Sequence, residues 1–264
     1  MSRITATSLQ RSKQDGEKIA VLTAYDHPFG MIVDEAGVDA VLVGDSCGNV
    51  VMGRRDTLSV TMDEMVHHVR MVATGVKRAL VIADMPFLSY QVSPEDAVRN
   101  AGRFVTEAGA QAVKLEGPAD KFGQSMRAIL NTGIPLMGHI GLTPQSVHQI
   151  GGYKVQGKSA ESRKRLKDEA RSLEALGCFA VVLECIPWDL AAEITQMLRV
   201  PTIGIGAGAG CDGQVLVLHD ILGWGSTRFT KTFADVRAIA RQACTDYVNE
   251  VKSGVFPAEE HQYS

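Results

Sequence analysis

Short apolar runs recur along the chain, each closed by a polar or glycine-rich break. They are Ile19–Asp26, Val38–Asp45, Ala79–Pro86, Ala112–Gly117, Pro135–Gly141, Cys178–Cys185, Pro201–Gly208 and Gln214–Asp220. Each is rich in Val, Ile and Leu and lacks the alternation of a half-exposed strand, which is the pattern of parallel strands buried on both faces. Parallel neighbours need crossover connections, and most of the intervening segments have room for a helix. Glu95–Ala108 and Ala160–Leu176 read as helices, the second with Leu166, Ala170, Leu173 and Leu176 on one face. Ser93-Pro94-Glu95-Asp96 supplies an N-cap, a first-turn proline and acids that favour the helix dipole. Gly109 and Gly177 stand where C-caps are expected. Phe233–Lys252 carries Val236, Ile239, Ala240, Ala243, Tyr247, Val248 and Val251 at helical spacing, and such a helix could close a barrel or pack on a partner subunit.

Eight strand candidates alternating with helices over about 250 residues predict an α/β fold, a (β/α)8 TIM barrel. It is expected to be a single domain over residues 1–264 with a C-terminal helix, since no linker, repeat array or low-complexity stretch interrupts the chain. An open doubly wound sheet is built from the same βα unit and is the structural competitor. Between the last two runs only Ala209–Gly213 intervene. Either that crossover is truncated or one of the two strands is misassigned.

The chain has 264 residues, of which 45% are hydrophobic and 22% charged, so disorder is excluded as its main state. With 27 Lys+Arg against 30 Asp+Glu it lacks the basic excess that nucleic-acid binding requires. Its 26 glycines follow no strict period, which excludes collagen. No stretch approaches the roughly 20 apolar residues needed to cross a bilayer, and the sequence from Met1 to Ser8 lacks the apolar core of a secretory signal. Cys47, Cys178, Cys185, Cys211 and Cys244 are odd in number and scattered, which argues against a disulfide framework or structural zinc. A reduced, cytoplasmic protein is expected.

In such barrels the reactive residues stand at the C-terminal strand ends, where the loops share one mouth. Here these ends read Tyr25-Asp26, Asp45-Ser46, Asp84, Lys114 with Glu116, His139 and Glu184. Any one acid alone could cap a following helix. Four carboxylates from different strands in one mouth would repel unless a cation sat among them, and oxygen donors without clustered Cys or His select a hard ion, Mg2+. Lys114, two residues before Glu116, shares its strand face and suits an electrostatic hold on a substrate carboxylate better than Schiff-base chemistry, which needs a lowered pKa. His139 could be a core histidine or a substrate hydrogen-bond partner. His67 and His68 read as surface residues of a helix. The run Gly204–Gly210 fails the dinucleotide spacing and reads as a tight turn or a close approach to a ligand. Arg163-Lys164-Arg165 with Lys167 reads as a solvated face that could also hold an anionic tail. Cys47 and Cys185 read as small buried apolar residues.

Several long motifs carry a specific likeness. Leu22–Asp26, Leu42–Ser46, Ala83–Phe87, Val113–Gly117, Gly138–Ser146, Gly152–Gly157 and Ile203–Gly208, in this order, resemble the ketopantoate hydroxymethyltransferase family, with similarity from about Lys18 to the tail at Phe256–His261. The resemblance implies a Mg2+-dependent TIM-barrel transferase of pantothenate biosynthesis. It would move a one-carbon unit from 5,10-methylenetetrahydrofolate to 3-methyl-2-oxobutanoate, giving 2-dehydropantoate and tetrahydrofolate. Metal-associated acids of the family match Asp45, Asp84 and Glu116. Substrate contacts match Asp45, Ser46, Asp84 and Lys114, to which the strand-end reading adds His139, and the proton acceptor matches Glu184. A homodecamer is implied, with small molecules rather than nucleic acid or membrane as partners. The segment Gln145–Lys158 is the expected lid, and partial burial is expected to tune Glu184 as the base. Three departures stand out: Cys47 in place of the usual leucine, Trp224–Lys231 without the usual proline-and-lysine pattern, and a more basic Ser159–Lys167. Mg2+-dependent lyases and mutases of 2-oxo acids share the barrel and a similar acid cluster and form the alternative. A non-enzymatic binding scaffold is disfavoured because none of the reactive acids is missing.

Overall fold

The computed structural model describes residues 3–225 and 227–263. Met1 and Ser2 of the N-terminal segment, Ser226 within 224–231, and Ser264 lie outside the described residues. The chain falls into two compact units, one ending at Val217 and the other beginning at Leu218.

All eight apolar runs contain strands: β1 (Ile19–Thr23), β2 (Ala40–Val43), β3 (Leu80–Asp84), β4 (Ala112–Glu116), β5 (Leu136–Gly141), β6 (Ala180–Glu184), β7 (Thr202–Ile205) and β8 (Gly213–Leu216). Each pairs in parallel with its sequence neighbours, and β8 returns to β1, so the sheet closes and the open doubly wound alternative is excluded. The helices of this unit are α1 (Ala6–Asp15), α2 (His27–Glu35), α3 (Cys47–Val50), α4 (Met62–Gly75), α5 (Pro94–Thr106), α6 (Ala119–Asn131), α7 (Val147–Ile150), α8 (Ala160–Leu176) and α9 (Trp188–Met197). Strands β7 and β8 are both real and are joined without a helix, so the crossover there is truncated. Glycine is required at the start of β8, because a Cβ on Gly213 would run into the carbonyl of Ile19 and hold β8 away from β1.

Helix α5 is capped by Ser93, whose side chain accepts from Asp96 N–H. It ends one turn short of Gly109; its C-cap is Glu107 in the right-handed region, and Gly109 takes its left-handed φ two residues later. Gly177 does cap α8 in the left-handed region, as its position predicts. An element without a clear apolar stripe is α1, held by a Thr5–Ser8 capping box, with Leu9 its one buried residue. Leu9 joins Val21, Leu42, Leu80, Ile82, Met137, Val182, Ile203 and Val215 in a single apolar cluster filling the barrel. Ile4 N–H donates to Arg78 O just before β3, so α1 covers the N-terminal end of the barrel and leaves the opposite mouth to chemistry.

The second unit holds α10 (Leu218–Ile221) and α11 (Val236–Ser253). Helix α11 begins at Val236 rather than Phe233 and buries none of its residues; Ile239, Tyr247, Val248 and Val251 are exposed. Barrel closure is achieved by the β1–β8 pairing. No helix among the described residues is long and apolar enough to cross a membrane.

Strand starts are pinned by side-chain acceptors. Asp34, at the end of α2, accepts from the N–H groups of Lys77, Arg78 and Ala79, the last at 2.7 Å. Although burial acts to raise its pKa, these backbone donors and the Arg78 charge hold it below the ordinary carboxylate value. Its stabilisation is therefore complete above that ordinary value and is lost only as pH falls through the depressed one. Asp34→Ala is expected to lower stability by about 1–3 kcal/mol, equally at pH 5 and pH 7. Urea midpoints at the two pH values check this, and an unchanged midpoint would contradict it.

Candidate active site

The predicted strand-end residues converge, with one exception. Asp26 is a helix cap: its carboxylate accepts from Phe29 N–H at 2.9 Å and starts α2. The others are Asp45 and Ser46 just beyond β2, Asp84 at the end of β3, Lys114 and Glu116 on β4, His139 on β5 and Glu184 at the end of β6. Strand register makes neighbours of Asp84 and Lys114, and of Glu116 and His139. The i, i+2 spacing puts Lys114 and Glu116 on one face of β4.

Contacts run continuously around the mouth. Lys114 Nζ donates to Asp84 Oδ1 at 2.7 Å and lies 3.6 Å from Glu116 Oε1. His139 stands between two carboxylates, with Nδ1 3.5 Å from Glu116 Oε1 and Nε2 3.2 Å from Glu184 Oε2, neither contact having hydrogen-bond geometry. Asp45 N–H points to Asp84 Oδ2 at 3.4 Å. Ser46 Oγ is 2.8 Å from Tyr25 Oη, and the Tyr25 carbonyl lies 2.7 Å from His68 Nδ1. His68 is thus half-buried and helps hold Tyr25, unlike the exposed His67 beside it.

Burial makes this charge distribution energetically demanding. Asp45, Asp84, Lys114, Glu116 and His139 are all at most 4% exposed, and the Glu184 side chain is 15% exposed. Four carboxylates thus face two cationic groups. Burial and the charges of Asp84 and Glu116 push Asp45 well above the usual carboxylate range. Asp84 is also raised, by burial first and then by Glu116, against the pull of Lys114. Glu116 goes the other way, to about 2: burial opposes ionisation, but Lys114, His139 and Gln145 N–H outweigh it. Burial acts to lower the pKa of Lys114, yet the surrounding acids drive it above the ordinary lysine value. His139 rises to about 9, because Glu116 and Glu184 overcome burial and the Lys114 charge.

Two residues central to this geometry carry no strand-end signal. Gln145 is buried; its Nε2 donates to Asp45 Oδ2 and to Met85 O, both at 2.9 Å, and its backbone N–H donates to Glu116 Oε2 at 3.0 Å. Tyr90 Oη lies 2.8 Å from Gln145 Oε1 and 2.9 Å from Glu116 O. Gln145 sits inside the Gly138–Ser146 motif, which was the available clue; Tyr90 lies six residues past a strand end and had none. Gln145 is the fixed start of the expected lid, while Gly151, Gly152 and Gly157, all with left-handed φ, bracket Tyr153. Desolvation and the negative charges of Asp56, Asp45, Glu184 and Glu116 raise the pKa of Tyr153, which is itself exposed.

Other candidates resolve into structural roles. A Cβ on Gly208 would lie 2.6 Å from that of Trp188, so the glycine run admits α9, the protein's own helix. Arg163 pairs with Asp189 and Glu193, Lys167 with Glu193, and Arg165 with Glu169, so the basic segment is largely neutralised by the protein itself. Cys47 is a buried filler against Met65, its thiol pushed up to about 12 by burial and the nearby acids. Cys185 is half-buried rather than buried, with φ 48°.

The donor chemistry fits a hard divalent cation. Among the described residues no three Asp, Glu, His or Cys side chains form a ready-made metal nest. Asp45 and Asp84 could hold an ion as a pair, with water and substrate oxygens filling the other positions, which is how Mg2+ usually binds. Glu116, already engaged by Gln145, Lys114 and His139, could reach such an ion through water.

Residues 3–259 match the family model described as ketopantoate hydroxymethyltransferase. The chain is 56% identical over 265 residues to the 3-methyl-2-oxobutanoate hydroxymethyltransferase of Syntrophotalea carbinolica, covering 99% of both chains. It is 53% identical over 267 residues to the protein of that name from Syntrophomonas wolfei, covering 100% of this chain and 96% of the other. Among solved structures, phosphonopyruvate hydrolase in complex with oxalate and Mg++ superposes with TM-score 0.65 at 11% identity, over 100% of this chain and 92% of that one. A 2,3-dimethylmalate lyase of the PEP mutase/isocitrate lyase superfamily superposes with TM-score 0.63 at 18% identity, over 98% and 91%. At such identities these structures share the fold.

The raised pKa of His139 has a defined consequence for stability. The charged ring's contribution is fully present below the unfolded imidazole value of about 6.5. It is lost as pH rises through about 9. In the metal-free chain, His139→Gln is expected to lower the urea midpoint most at pH 6 and progressively less toward pH 10. A difference that is flat across this range would contradict a charged His139.

Proposed function

This chain belongs to the ketopantoate hydroxymethyltransferase family, and from that premise we propose that it is a Mg2+-dependent 3-methyl-2-oxobutanoate hydroxymethyltransferase using 5,10-methylenetetrahydrofolate. The carrying observation is the ring of buried strand-end carboxylates with Lys114 and His139 set between them. The reaction needs a nucleophilic carbon at C3 of the 2-oxo acid, where the C–H is a very weak acid in water.

Asp45 and Asp84 would hold Mg2+, with Glu116 acting through water. The ion would supply Lewis acidity at the substrate's keto oxygen, where negative charge develops on loss of the C3 proton. Lys114, kept protonated by the acids around it, supplies a fixed charge for the substrate carboxylate and is unsuited to Schiff-base formation. Ser46 stands beside Asp45 with its hydroxyl steadied by Tyr25 and serves as a substrate hydrogen-bond partner. Glu184, the most accessible of the four acids, takes the C3 proton. His139, charged and 3.2 Å away, orients that carboxylate. The substrate carbon then bonds to the donor's methylene carbon as one of its two folate nitrogens releases it, and water supplies the hydroxyl as the second nitrogen leaves carrying a proton. Tyr153 and its glycine-bracketed loop shield the mouth during the transfer.

A cytoplasmic location belongs to this reading, supported by five cysteines that all stand as free thiols. A homodecamer belongs to it as well; the exposed apolar residues of α11 favour self-association, without fixing the number of copies. The 2-oxo acid lyase or mutase alternative rests on fold likeness alone, and product analysis with and without the folate separates the two.

With Mg2+ and protein alone, the C3 hydrogen of 3-methyl-2-oxobutanoate is expected to exchange with solvent deuterium. Glu184→Gln should lose about 100-fold or more of that exchange while still binding the 2-oxo acid. Proton NMR of the substrate methine reads the rate. Exchange by the variant at the parental rate would assign the base to another group.

A further inference from the structure

The buried amide of Gln145 makes more contacts to the acid cluster than a loop staple requires. Its orientation is fixed from both ends. Nε2 faces two acceptors, Asp45 Oδ2 and Met85 O. Oε1 faces two donors, Tyr90 Oη at 2.8 Å and Gln91 Nε2 at 3.2 Å. A flipped amide would set its oxygen against two acceptors, Asp45 Oδ2 and Met85 O, so this orientation is the satisfied one. The backbone N–H of the same residue holds Glu116 Oε2. One residue on the loop after β5 thereby sets a carboxylate at the end of β2 and another at the end of β4.

We infer that Gln145 is the positioning residue of the cation site, which fixes Asp45 by occupying Oδ2 so that Oδ1 is presented to the ion. The inference deepens the proposed function and rests on its reading of Asp45 and Asp84 as the ion-holding pair. Asp45 follows β2 in a loop and has no strand ladder to hold its side chain. Without the amide its carboxylate is free to rotate, and ordering it falls on the binding step. Outer-shell partners of this kind typically tune metal affinity by about 10–100-fold when removed. Tyr90 supports the same arrangement at one remove, since its hydroxyl fixes the amide and also contacts the Glu116 backbone on both sides, O at 2.9 Å and N at 3.2 Å.

The test is a calorimetric titration of Mg2+ into the full chain with saturating 3-methyl-2-oxobutanoate, comparing parent, Gln145→Met and Tyr90→Phe. Gln145→Met is expected to weaken Mg2+ binding about 10–100-fold, and Tyr90→Phe about 3-fold or more in the same direction. The turnover lost by Gln145→Met should be recovered largely by excess Mg2+, a rescue that damage to packing would not show. Metal-free melting temperatures, taken alongside, separate lost stability from lost affinity. Parental Mg2+ affinity in Gln145→Met overturns the inference, as does a turnover deficit that excess Mg2+ leaves untouched. Should Gln145→Met fail to fold, Tyr90→Phe decides, and parental affinity there overturns it equally. A parent chain that binds no Mg2+ under these conditions removes the proposed function instead.

Discussion

Negative charge gathered in a dry place is the constraint around which this molecule is arranged. Asp45, Asp84 and Glu116 are buried at the C-terminal strand ends with Glu184 beside them, and Lys114 and His139 supply only partial compensation. Buried carboxylates without sufficient counter-charge are driven toward protonation, and Asp45 and Asp84 are indeed pushed upward. Glu116, with Lys114, His139 and a backbone N–H around it, is not. The site thus separates into one carboxylate held ionised and a pair driven toward protonation. In our reading that pair takes the cation and Glu116 reaches it through water.

The barrel makes such a concentration of charge tolerable. Apolar positions from all eight strands meet in one cluster inside the barrel, and α1 covers the end away from the chemistry. Polar residues at the reactive end are then free to be selected for function. Geometry comes from strand register rather than from loops for Asp84, Lys114, Glu116 and His139, and elements of this kind hold side chains more firmly than loops do. Asp45 is the exception, standing on a loop and held by the amide of Gln145 from another loop.

The fold was legible because parallel strands buried on both faces leave continuous apolar runs; β1 and β8 depart from this, each exposing one residue, Ala20 and Gln214, and the last run continues past β8 into α10. The strand-end residues were legible for the same reason. What escaped was contact between distant segments. Asp26 looked like Asp45 in sequence and proved to be a helix cap, a distinction that depends on which way the chain turns after the strand. Gln145 reaches Asp45 across 100 residues and Tyr90 reaches Gln145 across 55, and no spacing rule reports such pairs. The basic stretch of α8 read as a solvated face, and its pairing with Asp189 and Glu193 of α9 was not visible in the sequence. Helix α1 escaped because one buried leucine does not make a periodic stripe.

The most direct test of the account is a crystal structure of the chain with Mg2+ and 3-methyl-2-oxobutanoate bound together. The account predicts the ion between Asp45 and Asp84, its other positions taken by oxygens of the 2-oxo acid and water, with the substrate carboxylate on Lys114 and C3 facing Glu184. An ion held elsewhere, or a 2-oxo acid bound away from these strand ends, would contradict it.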